Sequence, residues 1–351
     1  MAPPRLLRLT SATALLVLAA FLAACTGDAS NAASGPHASV TSDRIQIATL
    51  TPAAGAGQPP VARDAATLAP SATPALESPT PQPPSAIPAG LSLQPPLIRQ
   101  GGFSLVYLHE AALNATVSFG WLQFPMLHDG DRWWAIVGVG AFAEPGLAPL
   151  SVAYTPAGGG EVVSIVRSIE IVAHDYRVEN IDLDPAVSAL LDPDIVANEL
   201  AIRASVLSGY TASKMWSGAF VRPAGGEISS IYGVARSYNN GPVSSYHHGT
   251  DFVGSIGDPV FAVSAGVVVF AAELQVRGNT VMIDHGAGVF TAYNHLSALT
   301  VAQGEPVTAG QLIGAIGSTG LVTGPHLHWE VVVRNVEIDG ELWLEGAAIG
   351  P

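Results

Sequence analysis

From about Ile98 to its end the chain is built of short apolar runs broken by Gly and Pro, a pattern that leaves room for little except β-structure. Phe103 to Leu108, Ala115 to Phe119, Trp133 to Val139, Leu150 to Tyr154, Val162 to Val166 and Ser168 to Val172 read as strands. Turn residues separate them, among them Asp129-Gly130-Asp131, Pro145-Gly146 and Gly158-Gly159-Gly160. Strands of this length and spacing predict a small β-sandwich over 98–185. One segment departs from the pattern. Asp192-Pro193 opens a helix running to about Leu207, with Asp192 as cap and Pro193 at the first helical position. Its expected buried stripe is Ile195, Val196, Leu200 and Ala204, and its expected role, within 186–213, is to link two β units. Over 214–351 apolar strands return with many glycines, as in Ala265 to Phe270, Asn279 to Ile283, Gly288 to Tyr293, Gln311 to Gly317 and His328 to Val333. Runs this apolar predict sheets covered on both faces. The fold class is therefore all-β: a sandwich-like accessory domain, a short linking helix and a Gly-rich antiparallel sheet that carries the chemistry.

The first 97 residues are of another kind. Arg5 and Arg8, an apolar stretch from Ala12 to Leu22, and Leu22-Ala23-Ala24-Cys25 have the layout of a secretory signal over 1–25. The L-A-A-C sequence resembles a bacterial lipobox, which implies a lipid on Cys25 and attachment to a membrane at the outer side of the cytoplasm. Cys25 is the single cysteine, so no intramolecular disulfide is available. Residues 26–97 are rich in Pro, Ala, Ser and Thr and read as a disordered tether. With 28 acidic against 14 basic side chains, and Lys214 the single lysine, no basic stripe exists to follow phosphates, which excludes nucleic acid as a partner.

Six of the ten histidines fall between His247 and His328. They stand as His247-His248-Gly249-Thr250-Asp251, His285, Tyr293-Asn294-His295-Leu296 and His326-Leu327-His328-Trp329-Glu330. His and Asp at H-x-x-x-D and H-x-H spacing, with a further His between, make a metal-ligand set. Three ligands with spare ring nitrogens suit a catalytic zinc, which keeps a fourth position open. On a strand, His326, His328 and Glu330 share one face, and His247 and Asp251 share a face if the chain between them is extended. Gly249 eases close approach of backbone to the metal. His248 alternates away from His247 and reads as a turn or substrate-side residue. Alternation also puts Tyr293 on the face of His295, with core packing its default role and an oxyanion contact the alternative. Glu330 is a candidate for orienting a ligand His, and Arg236 for holding a substrate carboxylate. His285, in a turn, is left out of the site. His109-Glu110 is not a zincin helix, because the second His of H-E-x-x-H would fall on Leu113.

These motifs carry a resemblance. The region from about Phe220 to Trp343 resembles the lysostaphin/LytM-type zinc metallopeptidases, which cut peptide cross-links in peptidoglycan. That family carries H-x-G-x-D, Tyr-x-His-Leu and H-x-H in this order, and Arg277-Gly278-Asn279, Asp284 to Gly288, Gly317 to Gly320 and Gly324 to His328 match it too. Tyr232-Gly233-Val234-Ala235-Arg236 stands where the family often has Phe-Gly-x-x-Arg. The resemblance implies one zinc per chain on His247, Asp251 and His328, with His295 and His326 as general base/acid and transition-state donors. It implies stem or bridge peptides of the cell wall as substrate and an extracytoplasmic place in the cell envelope. A monomer is the expected state. The rival readings are a non-catalytic wall-binding regulator with a structural zinc, and a lipoyl- or biotinyl-like carrier suggested by the hairpins from Val301 to Gly317. The carrier needs a lysine at a hairpin tip, and Lys214 lies outside that region.

Overall fold

The computed structural model describes residues 90–344 and residue 350. The expected signal peptide, Cys25 and nearly all of the expected tether lie outside the described residues. Among the described residues a strand precedes Ile98: Leu91–Gln94 is paired antiparallel with Phe103–Leu108. Its four residues, followed at once by Pro95-Pro96, are too short a run to stand out from the Pro-rich segment before it.

Two sheets form the sandwich. One has four strands, in the order Leu91–Gln94, Phe103–Leu108, Trp133–Gly138, Leu127–His128. The other has five, in the order Leu97–Arg99, Val163–Val172, Gly146–Pro156, Ala112–Phe119, Leu122–Pro125. Between them lie Val106, Leu108, Val117, Val137, Leu150, Val152 and Ile169, one residue in two along each strand. Phe103–Leu108 and Trp133–Gly138 are buried on their outer face as well. There Leu105, Tyr107, Trp134 and Ile136 join a second hydrophobic cluster with Val331, Val333, Ile338 and Trp343. The sandwich and the following sheet therefore share a core.

That following sheet has eight strands and is antiparallel at every pairing. Its path runs Ile228–Ser230, Thr250–Val253, His326–Val333, Val289–Leu296, Gly278–Asp284, Gly266–Leu274, Pro306–Val307, with Val336–Ile338 also paired to His326–Val333. The strand His326–Val333 sits inside the sheet and has a divided character. Leu327, Trp329, Val331 and Val333 enter the shared core, while His326, His328 and Glu330 take the opposite face.

The predicted helix spans Pro193–Leu207, with the Asp192 side chain accepting from Asp194 N at 2.9 Å and Pro193 in the first turn. Its buried stripe differs from the expected one. Glu199, Arg203 and Leu207 are buried, whereas Leu200 and Ala204 are exposed and Ile195 and Val196 half-buried. The helix lies on the histidine-bearing face of the sheet. Leu207 packs with Phe290 and Val332, and Arg203 pairs with Glu330. The apolar residues at helical spacing predicted the other stripe; burial of two charges one turn apart is unfavourable unless each meets an opposite charge. Here each does. Among the described residues no helix is long and apolar enough to cross a membrane.

Candidate metal centre and its surroundings

Backbone pairing brings the metal-ligand candidates together. Asp251 lies directly across from His328 in the pairing of Thr250–Val253 with His326–Val333, and Val253 lies across from His326. His247 sits in the short connection after Val243–Tyr246 and arrives from a different direction, its N–H held by Val234 O at 2.8 Å. It is therefore not on one extended strand with Asp251, yet the two side chains meet. His247 Nε2 is 2.9 Å from Asp251 Oδ1 and 2.8 Å from His328 Nδ1, and His328 Nδ1 is 2.8 Å from Asp251 Oδ1. These three residues form the His/Asp/His group suited to a metal ion among the described residues.

The outer nitrogens show why this donor set fits zinc. His247 Nδ1–H donates to Ile231 O at 2.8 Å, so its Nε2 carries a lone pair. His328 Nε2–H donates to Glu330 Oε1 at 3.0 Å, so its Nδ1 is directed inward. Two imidazole nitrogens and a carboxylate oxygen thus converge, and such a donor set calls for a cation at its centre. Electrostatics agree. Burial pushes His247 down to about 4, against the opposing pull of Asp251, which keeps it in the neutral, ligating form. Burial raises Asp251, but His247 and His328 outweigh it and hold the carboxyl well below the usual range. Burial lowers His328, yet its hydrogen bonds to Asp251 and Glu330 prevail and raise it.

Two more histidines stand beside this group. The His295 ring lies 5.0 Å from that of His326 and 5.8 Å from that of His328. His295 Nδ1–H donates to Thr319 O and His326 Nδ1–H to Gly324 O, each at 2.8 Å. Nε2 is left as the proton acceptor on both rings, and His326 Nε2 is 3.6 Å from Asp251 Oδ1. The Gly317 to Gly320 and Gly324 to His328 segments thus supply the carbonyls that orient these rings. His295 is buried with φ 64°, a left-handed conformation that costs a non-glycine residue energy. It lies in a bulge: Val281 pairs with Tyr293 and Asn279 with Leu296, so Asn294 and His295 face a single partner residue. Burial, then His328 and His326, hold His295 well below the ordinary histidine value.

The bulge corrects one expectation. Strict alternation put Tyr293 on the face of His295, but the extra residue breaks it. Tyr293 is fully buried in the shared core, its hydroxyl accepting from Val263 N at 2.9 Å, and takes its default packing role. Gly249 is also explained differently. A Cβ there would run into the carbonyl of Trp329, so its bare backbone makes room for the neighbouring strand rather than for the metal. Arg236 lies 3.4 Å from Asp251 Oδ2. His248 is half-exposed, against the Tyr246 ring and 3.9 Å from Glu337. His285 is buried away from the group, between Ala265 O and Thr291 Oγ1.

Behind the metal group lies a buried charge network of which the sequence pointed to Glu330 but not to Arg203, Arg277 or Glu199. Glu330, fully buried, meets His328 Nε2, Arg203 and Arg277, the last at 2.9 Å. Arg277 Nη1 continues to Glu199 Oε1 at 3.0 Å, and Glu199 also accepts from Val276 N at 2.6 Å. Burial raises Glu330, but Arg203 and Arg277 outweigh it and hold it well below the carboxylate range. The available signal was Glu199 and Arg203 at i,i+4 on a helix, a spacing that ordinarily marks a solvated pair. In front, the metal group opens into a cleft of about 710 Å³ lined by His247, Asp251, His295, His326 and His328 on one side. Leu183, Leu191, Val196 and Leu200 line it as well.

Residues 245–340 match Peptidase family M23. Over 88 residues the chain is 50% identical to the peptidoglycan DD-endopeptidase ShyA of Vibrio cholerae, covering 25% of this chain and 20% of that protein. It is 39% identical over 107 residues to lysostaphin of Staphylococcus staphylolyticus, 28% of this chain and 22% of the other. The chain thus spans about a fifth of the length of these curated relatives. A solved structure of a putative peptidase M23 from Pseudomonas aeruginosa is similar with a TM-score of 0.55 and 25% identity, covering 72% of this chain and 96% of that one. That likeness reaches well beyond residues 245–340. With the metal group, the flanking histidines and all of the sheet except its edge strand Ile228–Ser230 inside the matched region, residues 245–340 of this chain are a peptidase family M23 domain.

Proposed function

We propose that the chain is a zinc-dependent endopeptidase that hydrolyses peptide cross-links of bacterial cell-wall peptidoglycan. The observation that carries this reading is the convergence of His247 Nε2, Asp251 Oδ1 and His328 Nδ1 at the wall of an open cleft, with two further oriented histidines alongside. The names of the relatives, a DD-endopeptidase and lysostaphin, support the substrate class.

In this reading His247, Asp251 and His328 hold the zinc, which supplies Lewis acidity to the scissile carbonyl. His295 and His326 handle protons. Each has Nδ1 tied to a main-chain carbonyl and Nε2 as its basic atom, so each is poised to accept a proton from an attacking water and return it to the leaving amine. The same pair, when protonated, donates to the oxygen on which charge develops. Arg236, beside Asp251, faces the cleft and is suited to a substrate carboxylate or carbonyl. The apolar wall of Leu183, Leu191, Val196 and Leu200 offers a surface to the peptide's side chains.

We place this activity outside the cytoplasm in the cell envelope, with the chain held to a membrane by lipid on Cys25. Cys25→Ala then moves the protein from the membrane fraction to the soluble one, and continued membrane association contradicts the lipid anchor. For the activity, purified protein is incubated with defined cross-linked muropeptides and the products are weighed by mass spectrometry. Cleavage at one amide, stopped by chelator and restored by zinc, is the expected result. Full zinc occupancy without cleavage favours the wall-binding regulator.

A further inference from the structure

The buried charges on the helix Pro193–Leu207 are placed to act on the metal group. His328 is ligand-competent through Nδ1 only while its Nε2–H is held by Glu330 Oε1 at 3.0 Å. Glu330 in turn has no solvent around it and is fixed by three groups: Arg203 at Oε2, Arg277 Nε at Oε1, and Asn294 Nδ2 at 3.3 Å from Oε1. Arg277 and Asn294 lie inside the matched domain. Arg203 lies more than forty residues before it, on an element whose neighbouring charge, Glu199, secures Arg277 as well. Arg203 is itself buried and touches Glu337 at 3.6 Å, so its guanidinium is closed in on the carboxylate side.

We propose that Arg203 is a positioning residue for the metal ligand His328, acting through Glu330, so that a helix outside the peptidase domain sets the affinity of its metal centre. The relay is one of orientation. Arg203 clamps one carboxylate oxygen of Glu330, the other is then aimed at His328 Nε2, and the ring is locked with Nδ1 facing His247 and Asp251. The consequence for the molecule is that residues 245–340 do not by themselves contain everything that fixes their metal site.

The inference rests on the zinc-site reading above but not on the proposed hydrolysis, because its readout is zinc affinity in the absence of substrate. A protein that binds zinc and cuts nothing leaves it intact. The test is a double-mutant cycle in the full chain, reading the zinc dissociation constant by chelator competition. Arg203→Met and Glu330→Gln are each expected to weaken zinc by about 10–100-fold, the range seen when such outer partners are removed. The double variant is expected to bind no more weakly than Glu330→Gln alone, because Arg203 acts only through Glu330. Leu207→Ala, which loosens the same helix without touching the network, is expected to lower the unfolding temperature and leave zinc affinity within about twofold. If Arg203→Met fails to fold, Arg203→Lys takes its place in the cycle, since it keeps a charge beside Glu330 but loses the guanidinium's fixed donor geometry. Wild-type zinc affinity in Arg203→Met overturns the proposal. So does additive weakening in the double variant, or an equal loss of zinc in Leu207→Ala.

Discussion

Asp251 and His328 face each other across two antiparallel strands, and Asp251 Oδ1 stands 2.8 Å from His328 Nδ1. They are 77 residues apart in the chain, and the register of one strand pair makes them neighbours. A slip of one residue would turn His328 to the core side and replace it with Leu327 or Trp329, so the register and the metal group are specified together. The apolar face of His326–Val333 secures that register, since Leu327, Trp329, Val331 and Val333 are all buried on it.

The proposed division between metal ligands and proton carriers is testable by substitution. His328→Ala is expected to lose both zinc and activity. His295→Ala is expected to keep zinc near one per chain and to lose about 10²–10⁴-fold in turnover, the usual worth of a positioned acid or base. Metal analysis and rate measurement on the same preparations check both. Stoichiometric loss of zinc from His295→Ala would show that the roles are assigned wrongly.

Gly249 offers a test of the backbone packing under the site. An added Cβ meets the carbonyl of Trp329, which belongs to a central strand and has little freedom to move. Gly249→Ala is expected to cost about 1–3 kcal/mol of stability as overpacking. It is also expected to weaken zinc, because the displaced backbone carries His247. Thermal unfolding with and without chelator gives both quantities. An unchanged unfolding temperature would mean that the two segments are not in contact.

Much of this was legible from residues alone. The sandwich strands alternate with Gly- and Pro-rich turns, and the helix is announced by Asp192-Pro193. The H-x-x-x-D and H-x-H spacings marked the segments whose His247, Asp251 and His328 side chains converge. What was not legible arises from long-range geometry. The stripe Glu199, Arg203 and Leu207 cannot be recognised as buried without knowing that Glu330 and Arg277 wait beneath it. Tyr293 was set on the wrong face because the bulge at Asn294 and His295 cancels the period of two, and a bulge leaves no signature in side-chain types there. Leu91–Gln94 gains its strand from its partner Phe103–Leu108 rather than from its own four residues.

Acid should destabilise the metal-free protein through histidines that are buried uncharged. His285 is the clearest, since it is remote from the metal group. Burial presses its imidazole down from 6.5 to about 4, opposed by the hydrogen bond to Ala265 O. As pH falls below 6.5 the unfolded chain takes up this proton while the folded chain resists until about 4. Stability is therefore present above pH 6.5 and is lost as pH falls towards 4, by about 3 kcal/mol for this one residue. Urea unfolding of the chelated protein across that range should show the decline, and His285→Gln should make it shallower by about one proton. An identical slope in the variant would contradict the assignment.

The most direct test of the account is to strip the purified chain of metal, add zinc in increments, and follow cleavage of a cross-linked muropeptide. The rate is predicted to rise linearly and level off at one zinc per chain, and Asp251→Ala is predicted to show neither binding nor cleavage. A chain that fills with one zinc and leaves the cross-link whole, or that cuts at full rate with its metal removed, would contradict it.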